Sequence, residues 1–378
     1  TSLTTPSKTG FGSLAPARLP IMSPVCRAVL FQEATSRQSK FVGTLAMPIS
    51  MPGATKQRPR MYDGEFRGKK AWTRDNIEKT DYQVKIPSDC HAEIREFVQS
   101  LKENPLQTEV LSPHDYRLPR TKSLMKKVKD RLERGVGFTV LDRLSVRSFT
   151  KDELKSVYWI LSSLIARPVA QSFRGTLLYD VLDTGKLKGP KVRADLTRAE
   201  LDFHTDYSYN EPPRYFGLQT LRTAKKGGRS GVANLLTAHN EMRRHHPHLL
   251  ERLYRPFWLN RYGEHAPGLP KAGFHPVYSY DGNELWARFN PRNIYAGYDL
   301  VGETLDEEGR EAVETMHGIL STPVHHVNFY LSAGQIIYLQ NGRCAHCRTA
   351  YEDYDDIDQR RHMIRIFLRD HGARTYNG

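Results

Sequence analysis

The chain has 378 residues, of which 39% are hydrophobic and 26% are charged, and this composition is that of an ordinary globular protein. No apolar run approaches the roughly 18 to 20 residues that cross a bilayer, so we expect no membrane-spanning segment. The net charge of +14 would suit a nucleic-acid-binding protein. Half of that excess lies in residues 1–60, however, and the remainder is mild, so we expect no nucleic-acid partner.

The first 60 residues differ in composition from the rest. They are rich in Ser, Thr, Pro and Arg and contain a single acid, Glu33, as in a disordered arm or an organellar transit peptide. We predict a basic leader over 1–60 and one folded domain over 61–378. We expect a cytoplasmic location, or a mitochondrial or other organellar one if the leader is a transit peptide. Four scattered cysteines are too few for a disulfide scaffold, which fits a reducing compartment.

Periodicity and capping signals predict helices and strands along the chain. Thr150 with Glu153 and Thr304 with Glu307 form capping-box patterns that each open a helix. Helices are predicted over 91–103, 151–166, 237–254 and 305–320. Strands are predicted over 137–144, 177–182, 201–209, 215–221, 324–331, 335–339 and 362–368. Strands interrupted by a long central insert indicate an α+β fold with a mainly β core, built as a barrel or sandwich.

The segment LDFHTDYSYN, residues 201–210, contains a candidate pair of metal ligands. Side chains two apart in a strand share a face, so His204 and Asp206 would present an imidazole and a carboxylate to one small volume. With a distant second His, these ligands make a 2-His-1-carboxylate triad, which leaves three positions open on iron. An H-x-D triplet alone is more typical of a surface or structural histidine than of a metal ligand, so the assignment depends on the residues downstream.

Two features near the carboxyl end supply that support. His346 follows the apolar run GQIIYLQNGR, and the segment QRRHMIRIFLRD at 359–370 places Arg361 and Arg365 on one face of a predicted strand. Burying two guanidinium groups is costly without anionic partners, and a guanidinium binds a carboxylate through two parallel hydrogen bonds. The pair indicates either a buried ion pair with an internal acid or a binding site for a dicarboxylate.

In combination these segments resemble the TauD/TfdA group of Fe(II)/2-oxoglutarate-dependent dioxygenases, within the clavaminate synthase-like superfamily. Six elements agree in order: Phe203-His204-Thr205-Asp206, Pro212-Pro213, Gly227-Gly228-Arg229-Ser230, Gly334-Gln335, Asn341-x-Arg343-x-x-His346 and Arg361-x-x-x-Arg365. The resemblance covers about residues 130–370, and the 142 positions between the two histidines also fit this group. Gln335 replaces the usual Asp. The resemblance implies a double-stranded β-helix (jelly-roll) with flanking helices and a long insert between strands.

The resemblance also implies a role for each matching residue. His204, Asp206 and His346 would bind Fe(II), and Arg361 with the Ser230 hydroxyl would bind the distal carboxylate of 2-oxoglutarate. Arg365 would approach the C1 end of the co-substrate or an acidic group of the substrate.

Three further residues receive supporting roles from the resemblance. Asn341 and Arg343 would shape the turn that presents His346, and Arg193 would lie near the mouth of the site.

The implied activity is that of a non-haem dioxygenase that uses Fe(II), 2-oxoglutarate and O2. It would hydroxylate an aliphatic C–H of a small acid-like or amino-acid-like molecule and release succinate and CO2. Desaturation or cyclisation in a natural-product pathway is an alternative outcome, and a non-catalytic jelly-roll binding module is an alternative of another class. The partners we expect are the small-molecule substrate and further copies of the chain in a homo-oligomer.

Cys344 and Cys347 form a C-x-x-C around His346. A structural zinc site needs four ligands, and the other cysteines, Cys26 and Cys90, are distant in sequence. A labile disulfide between Cys344 and Cys347 is a second hypothesis, motivated by adjacency alone.

Overall fold

A computed structural model describes residues 59–183 and 196–376. Almost all of the predicted leader, together with Arg193, lies outside the described residues. Residues Pro59–Gly378 form one compact unit. Within the described ranges, no helix has the length and apolar character needed to cross a membrane.

The described residues contain eight α-helices and seventeen strands. The helices are α1 (Lys79–Tyr82), α2 (Ser88–Glu103), α3 (Pro119–Arg134), α4 (Lys151–Ser163), α5 (Leu235–His245), α6 (Pro247–Leu253), α7 (Pro291–Val301) and α8 (Glu307–Ser321). The first strands are β1 (Gln83–Lys85), β2 (Phe138–Asp142), β3 (Arg167–Val169), β4 (Leu178–Leu182), β5 (Leu201–His204), β6 (Tyr215–Arg222), β7 (Lys226–Gly227) and β8 (Ser230–Asn234). They are followed by β9 (Pro256–Asn260), β10 (Ala272–Pro276), β11 (Tyr278–Tyr280), β12 (Leu285–Ala287), β13 (His326–Phe329), β14 (Ile336–Gln340), β15 (Cys344–Arg348), β16 (Tyr351–Glu352) and β17 (His362–Arg369).

Two sheets form the centre of the molecule. The larger sheet has the order β1-β2-β14-β6-β17-β3, with β4 also paired to β17, and the smaller has the order β13-β8-β15-β5. Apart from the parallel β1–β2 pair, the neighbouring strands of both sheets are antiparallel. Phe216 and Phe367 of the larger sheet share one buried cluster with Phe203 and Val232 of the smaller sheet. The sheets therefore form a sandwich with its core between them.

Strand β17 shows the predicted alternation between two environments. Met363 and Phe367 belong to the core between the sheets. Ile364, Ile366 and Leu368 belong to a second core on the other face of the larger sheet, which includes residues of α2, α3 and α4. Because side chains alternate along a strand, Arg365 is directed to the same face as Met363 and Phe367. Arg361 lies one residue before the strand and lines the same cavity as Arg365.

Residues 235–325 form the insert between β8 and β13, and two predictions in it are wrong. The single helix predicted over 237–254 is two helices, α5 and α6, because Pro247 has no N–H to continue the first and instead begins the second. The cap of α8 is Asp306 rather than Thr304, since the Asp306 side chain accepts a hydrogen bond from the Gly309 N–H.

Other boundaries agree with the sequence or differ from it locally. The capping box of Thr150 and Glu153 opens α4 as predicted. Strand β13 is shorter than predicted because residues Pro323–His325 form a 3-10 turn before it. Strand β5 ends at His204, five residues earlier than predicted, and this early end affects the metal ligands directly.

Candidate metal centre and active site

The three predicted metal ligands come together on the smaller sheet. Antiparallel pairing of β15 with β5 places His346 opposite His204, with ring centroids 4.4 Å apart. The Asp206 Oδ1 lies 3.5 Å from His204 Nε2 and 3.7 Å from His346 Nε2. Within the described ranges, these residues form the one group of three or more His, Cys, Asp or Glu whose ligand atoms all lie within 4.8 Å of one another.

Asp206 reaches this position by a different route from the predicted one. It lies beyond the end of β5 and not on it, so strand periodicity does not explain the shared direction of His204 and Asp206. The backbone instead turns sharply, and Tyr207 has a φ of 62°, a left-handed conformation that is uncommon for a residue with a side chain.

Asn341 holds this turn in place. Its Oδ1 accepts a hydrogen bond from the Asp206 N–H at 3.0 Å, and its Nδ2 donates to the Asp206 carbonyl at 2.9 Å. The sequence prediction gave Asn341 and Arg343 the task of shaping the turn before His346. The structure shows that Asn341 fixes the backbone of the carboxylate ligand, whereas the Arg343 side chain pairs with Glu284 at 3.4 Å.

The protonation states at this centre favour binding of a cation. Burial alone would raise the pKa of the Asp206 carboxyl, but the adjacent Arg365 guanidinium and the two imidazoles outweigh it, so that pKa lies below its usual range. Burial, reinforced by His204, lowers the pKa of His346 to about 3. The carboxylate is therefore ionised and the His346 imidazole neutral at pH 7.

A hydrogen bond also orients the first histidine. His204 Nδ1 lies 2.8 Å from the Asp202 carbonyl oxygen, which can only accept, so Nδ1 carries a proton and Nε2 is the ring nitrogen available to a metal. Two imidazole nitrogens and one carboxylate oxygen are the donor set of the facial triad that suits non-haem Fe(II). The residues present therefore fit the metal that the sequence implies.

Arg361 is buried, with 7% of its surface exposed, just before β17. Its guanidinium lies 5.3 Å from the centre of the Tyr351 ring, and one terminal nitrogen contacts the Met363 sulfur, a weak acceptor. No carboxylate of the described residues forms a salt bridge with it; Asp353 accepts the Arg361 backbone N–H, and the Asp353 charge and the Tyr351 hydroxyl both attract the guanidinium. The alternative of an ion pair with an internal acid does not hold for Arg361.

Arg365 lies directly beside the metal ligands. Its Nη1 is 3.4 Å from Asp206 Oδ2, and its Nε donates to Gln171 Oε1 at 2.8 Å. The guanidinium lies 4.8 Å from the centre of the Tyr179 ring and 4.9 Å from that of Phe367. Arg365, unlike Arg361, therefore does form an ion pair with an internal acid, which is the metal-ligand candidate Asp206.

One cavity of about 180 Å³ joins these groups and is called here the active-site cavity. Its lining includes His204, Asp206, His346, Ser230, Arg361 and Arg365, so the predicted metal ligands and co-substrate-binding residues all border one space. The far wall is formed by Tyr207, Tyr209, Tyr262 and the first turn of α7. The sequence offered Tyr207 and Tyr209 as residues that line the cavity or fill the barrel, but it gave no role to Tyr262 or α7. The sequence does contain a signal for α7, because Asn290 is a good N-cap residue and Pro291 a good first helical residue. Nothing near them in the sequence connects this helix with the metal ligands.

Hydrogen bonds connect that helix start to the ligand segment. The Thr205 N–H donates to the Phe289 carbonyl at 2.7 Å, and the Thr205 hydroxyl accepts from the Phe289 N–H at 2.9 Å. Asn293 Nδ2 donates to the Ser208 hydroxyl at 3.3 Å. The insert therefore closes one side of the active-site cavity with the N-terminal turn of α7.

The two cysteines beside His346 are free thiols. Both lie on β15 three residues apart, which separates their Cα atoms by about 10 Å, whereas a disulfide needs less than about 7 Å. Burial raises the pKa of each thiol to about 12. This geometry contradicts the disulfide hypothesis, and among the described residues no group with zinc-site ligands surrounds them.

Comparison with known proteins agrees with this geometry. Residues 100–367 match the model of the taurine catabolism dioxygenase TauD, TfdA family. The FR-33289 synthase of Streptomyces rubellomurinus is 26% identical over 315 residues, which cover 82% of this chain and 91% of the relative. The uridine-5'-phosphate dioxygenase of Amycolatopsis sp. is 30% identical over 149 residues, covering 39% of this chain and 52% of the relative.

Solved structures with the same fold contain the expected ligands. An asparagine oxygenase in complex with Fe(II), 2S,3S-3-hydroxyasparagine and succinate has a TM-score of 0.60 at 15% identity, over 76% of this chain and 94% of that one. The non-heme iron oxygenase OrfP with Fe and alpha-ketoglutaric acid has a TM-score of 0.57 at 15% identity, with the same coverage. The predicted jelly-roll fold is confirmed. This chain belongs to the TauD/TfdA family and is an iron(II)- and 2-oxoglutarate-dependent oxygenase.

Proposed function

We propose that His204, Asp206 and His346 hold the catalytic Fe(II) and that Arg361, with Ser230, binds the distal carboxylate of 2-oxoglutarate. The observation that carries this proposal is a buried arginine that lacks a carboxylate partner among the described residues and lines the same cavity as the triad. A buried guanidinium without an anion is costly, and a diacid whose other end reaches the metal would remove that cost.

Each protein group then has a defined task. Asn341 and the Asp202 carbonyl fix the directions of two ligands, while Arg365 maintains the ionised state of Asp206. When bound, iron with 2-oxoglutarate and dioxygen supplies the oxidation of a C–H bond, with release of succinate and CO2. The aromatic walls of the cavity exclude water from the reacting atoms.

The substrate we propose is a small, acid-bearing molecule, most simply an amino acid, and its reaction is hydroxylation. Arg292 in the first turn of α7 lines the cavity, and no acid lies in that turn to offset the helix dipole. The Tyr207 hydroxyl is buried without a hydrogen-bond partner among the described residues. Asparagine and uridine 5'-phosphate, named for relatives, both carry an acidic group.

Replacement of a ligand tests the metal assignment. His204→Ala should abolish stoichiometric Fe(II) binding and the succinate released from 2-oxoglutarate. The matched control is His248→Ala, which removes an exposed imidazole of α6 and should change neither. Retained 2-oxoglutarate turnover in the His204→Ala protein would contradict the assignment.

An anaerobic titration tests the substrate class. Addition of a true substrate to the Fe(II)–2-oxoglutarate protein should shift its weak visible absorption band, and amino acids should do so at lower concentration than their carboxamides or esters, which lack the carboxylate. Arg292→Gln should erase that preference, whereas Arg310→Gln, an exposed position of α8, should preserve it. Equal responses to acids and carboxamides in the wild-type protein would exclude an acid-bearing substrate.

A further inference from the structure

A second cavity, of about 410 Å³, lies next to Arg361 and is called here the basic cavity. Its walls come from the end of β6, the turn over residues 223–228 that includes the short strand β7, the segment 330–332 after β13, and Met363. Ser230 and Arg361 are the two lining residues that it shares with the active-site cavity. The Arg361 side chain therefore forms part of the wall between the two spaces.

The charge of the basic cavity has one sign. Four cationic side chains line it, those of Arg222, Lys225, Lys226 and Arg361, and no Asp or Glu does. Lys225 is exposed and has no ion pair among the described residues, and the pair of Lys226 with Glu352, at 3.4 Å, is largely exposed and therefore weak. A cavity lined by one sign of charge raises the local concentration of oppositely charged small molecules.

Polar groups in its walls also lack partners. The Thr220 hydroxyl is buried, at 2% residue exposure, and has no hydrogen-bond partner among the described residues. The Arg361 guanidinium has no carboxylate partner, as described above. A buried hydroxyl without a partner and a buried guanidinium without a carboxylate are both costly, and an anion with several oxygens would pair with both.

The turn leaves the guanidinium uncovered on this side. Gly227 and Gly228 have φ values of 79° and 69°, a conformation that favours glycine. A Cβ atom at Gly228 would lie 3.7 Å from Arg361 Nε, so a larger side chain there would cover the guanidinium. The double glycine therefore permits both the turn and access to Arg361.

We propose that the basic cavity binds small aliphatic dicarboxylates and is the port through which 2-oxoglutarate reaches Arg361 and succinate leaves. This inference rests on the proposed role of Arg361 in co-substrate binding. Its consequence is that a substrate that fills the active-site cavity does not block exchange of the diacid.

Rapid mixing of 2-oxoglutarate with the anaerobic Fe(II) protein, followed by the visible band, tests the port. Lys225→Glu/Lys226→Glu should lower the association rate constant about ten-fold or more and reduce its dependence on salt. Lys126→Glu/Lys127→Glu, two exposed adjacent lysines of α3, gives the same change in net charge and should leave the rate unchanged. Equal slowing in both variants would show a general field effect and overturn the proposal.

Obstruction of the cavity gives an independent signature. Ser332→Trp should slow the association and the dissociation of 2-oxoglutarate by the same factor and leave the dissociation constant unchanged. This result is expected if the cavity is a path to the binding site, because a residue that contacts bound 2-oxoglutarate would change the dissociation constant. Unchanged rates in Ser332→Trp would overturn the port. Failure of the underlying assignment is distinguishable, because 2-oxoglutarate would then bind Arg361→Ala with wild-type affinity.

Discussion

The amide of Asn341 offers the sharpest test of how the protein positions its carboxylate ligand. Asn341→Ala removes two buried hydrogen bonds, one to the N–H and one to the carbonyl of Asp206. Each bond contributes about 0.5–1.5 kcal/mol, and leaving a buried partner unpaired costs about 1–3 kcal/mol. We therefore expect the free energy of unfolding of the metal-free protein to fall by about 2–4 kcal/mol.

The same substitution should lower the affinity for Fe(II). Loss of a residue that orients a metal ligand typically costs about 10- to 100-fold in affinity. Anaerobic calorimetric titration of Fe(II) measures this affinity, and urea unfolding of the metal-free protein measures stability. We expect both quantities to fall in Asn341→Ala.

Asn234 provides the matched control. It is as deeply buried as Asn341, caps α5 by accepting from the Leu236 and Thr237 N–H groups, and donates to the Lys70 carbonyl. Asn234→Ala should therefore lower stability by a similar amount without any change in Fe(II) affinity. Equal losses of affinity in the two variants, or wild-type affinity in Asn341→Ala, would refute the role assigned to Asn341.

Three other changes have defined outcomes. Arg361→Ala should weaken 2-oxoglutarate binding by about 3–5 kcal/mol while Fe(II) affinity stays constant; equal calorimetric losses for both ligands would indicate unfolding. Burial lowers the pKa of His239 from 6.5 to about 4, so stability that is complete above pH 6.5 should fall by about 3 kcal/mol between pH 6.5 and 4. Urea unfolding should show a weaker pH dependence in His239→Gln, and an identical dependence would contradict this. Cys344→Ser/Cys347→Ser should keep wild-type Fe(II) affinity and activity. If an oxidant inactivated the wild-type protein but not this variant, the disulfide hypothesis would again be supported.

The sequence was sufficient for the fold, and it named side chains that the structure brings together in one cavity, because both predictions depend on local patterns. Strand β17 alternates charged or polarisable residues with Ile364, Ile366 and Leu368, so its two faces are readable without a structure. The order of the six motifs, rather than any one of them, indicated the family. His204 and His346 could be paired because an H-x-D and a distant His in that order are specific in combination.

The details that the sequence did not provide depend on contacts distant along the chain. Nothing local shows that β5 ends at His204, because the turn at Tyr207 is stabilised by Asn341, 135 positions from Asp206. The far wall of the active-site cavity is likewise formed by α7, whose position depends on the Thr205–Phe289 and Ser208–Asn293 hydrogen bonds. Short-range signals such as capping boxes predict helix starts but do not place them in space.

The two wrong helix predictions in the insert have local causes. Asp306 and Thr304 are both acceptable N-cap residues, and the structure uses Asp306, whose carboxylate also pairs with Arg252 at 2.7 Å. That second interaction is invisible to a pattern that considers one helix at a time. Pro247 was a stronger signal than the sequence analysis allowed, since a proline within a helical pattern commonly ends it.

The central claim is that two imidazoles and one carboxylate converge on a single iron. Anomalous diffraction at the iron edge, from anaerobic crystals of the Fe(II)-loaded protein, tests it most directly. We predict one strong peak within bonding distance of Nε2 of His204, Nε2 of His346 and a carboxylate oxygen of Asp206. A peak bonded to other residues, or to only one of these three, would contradict the account.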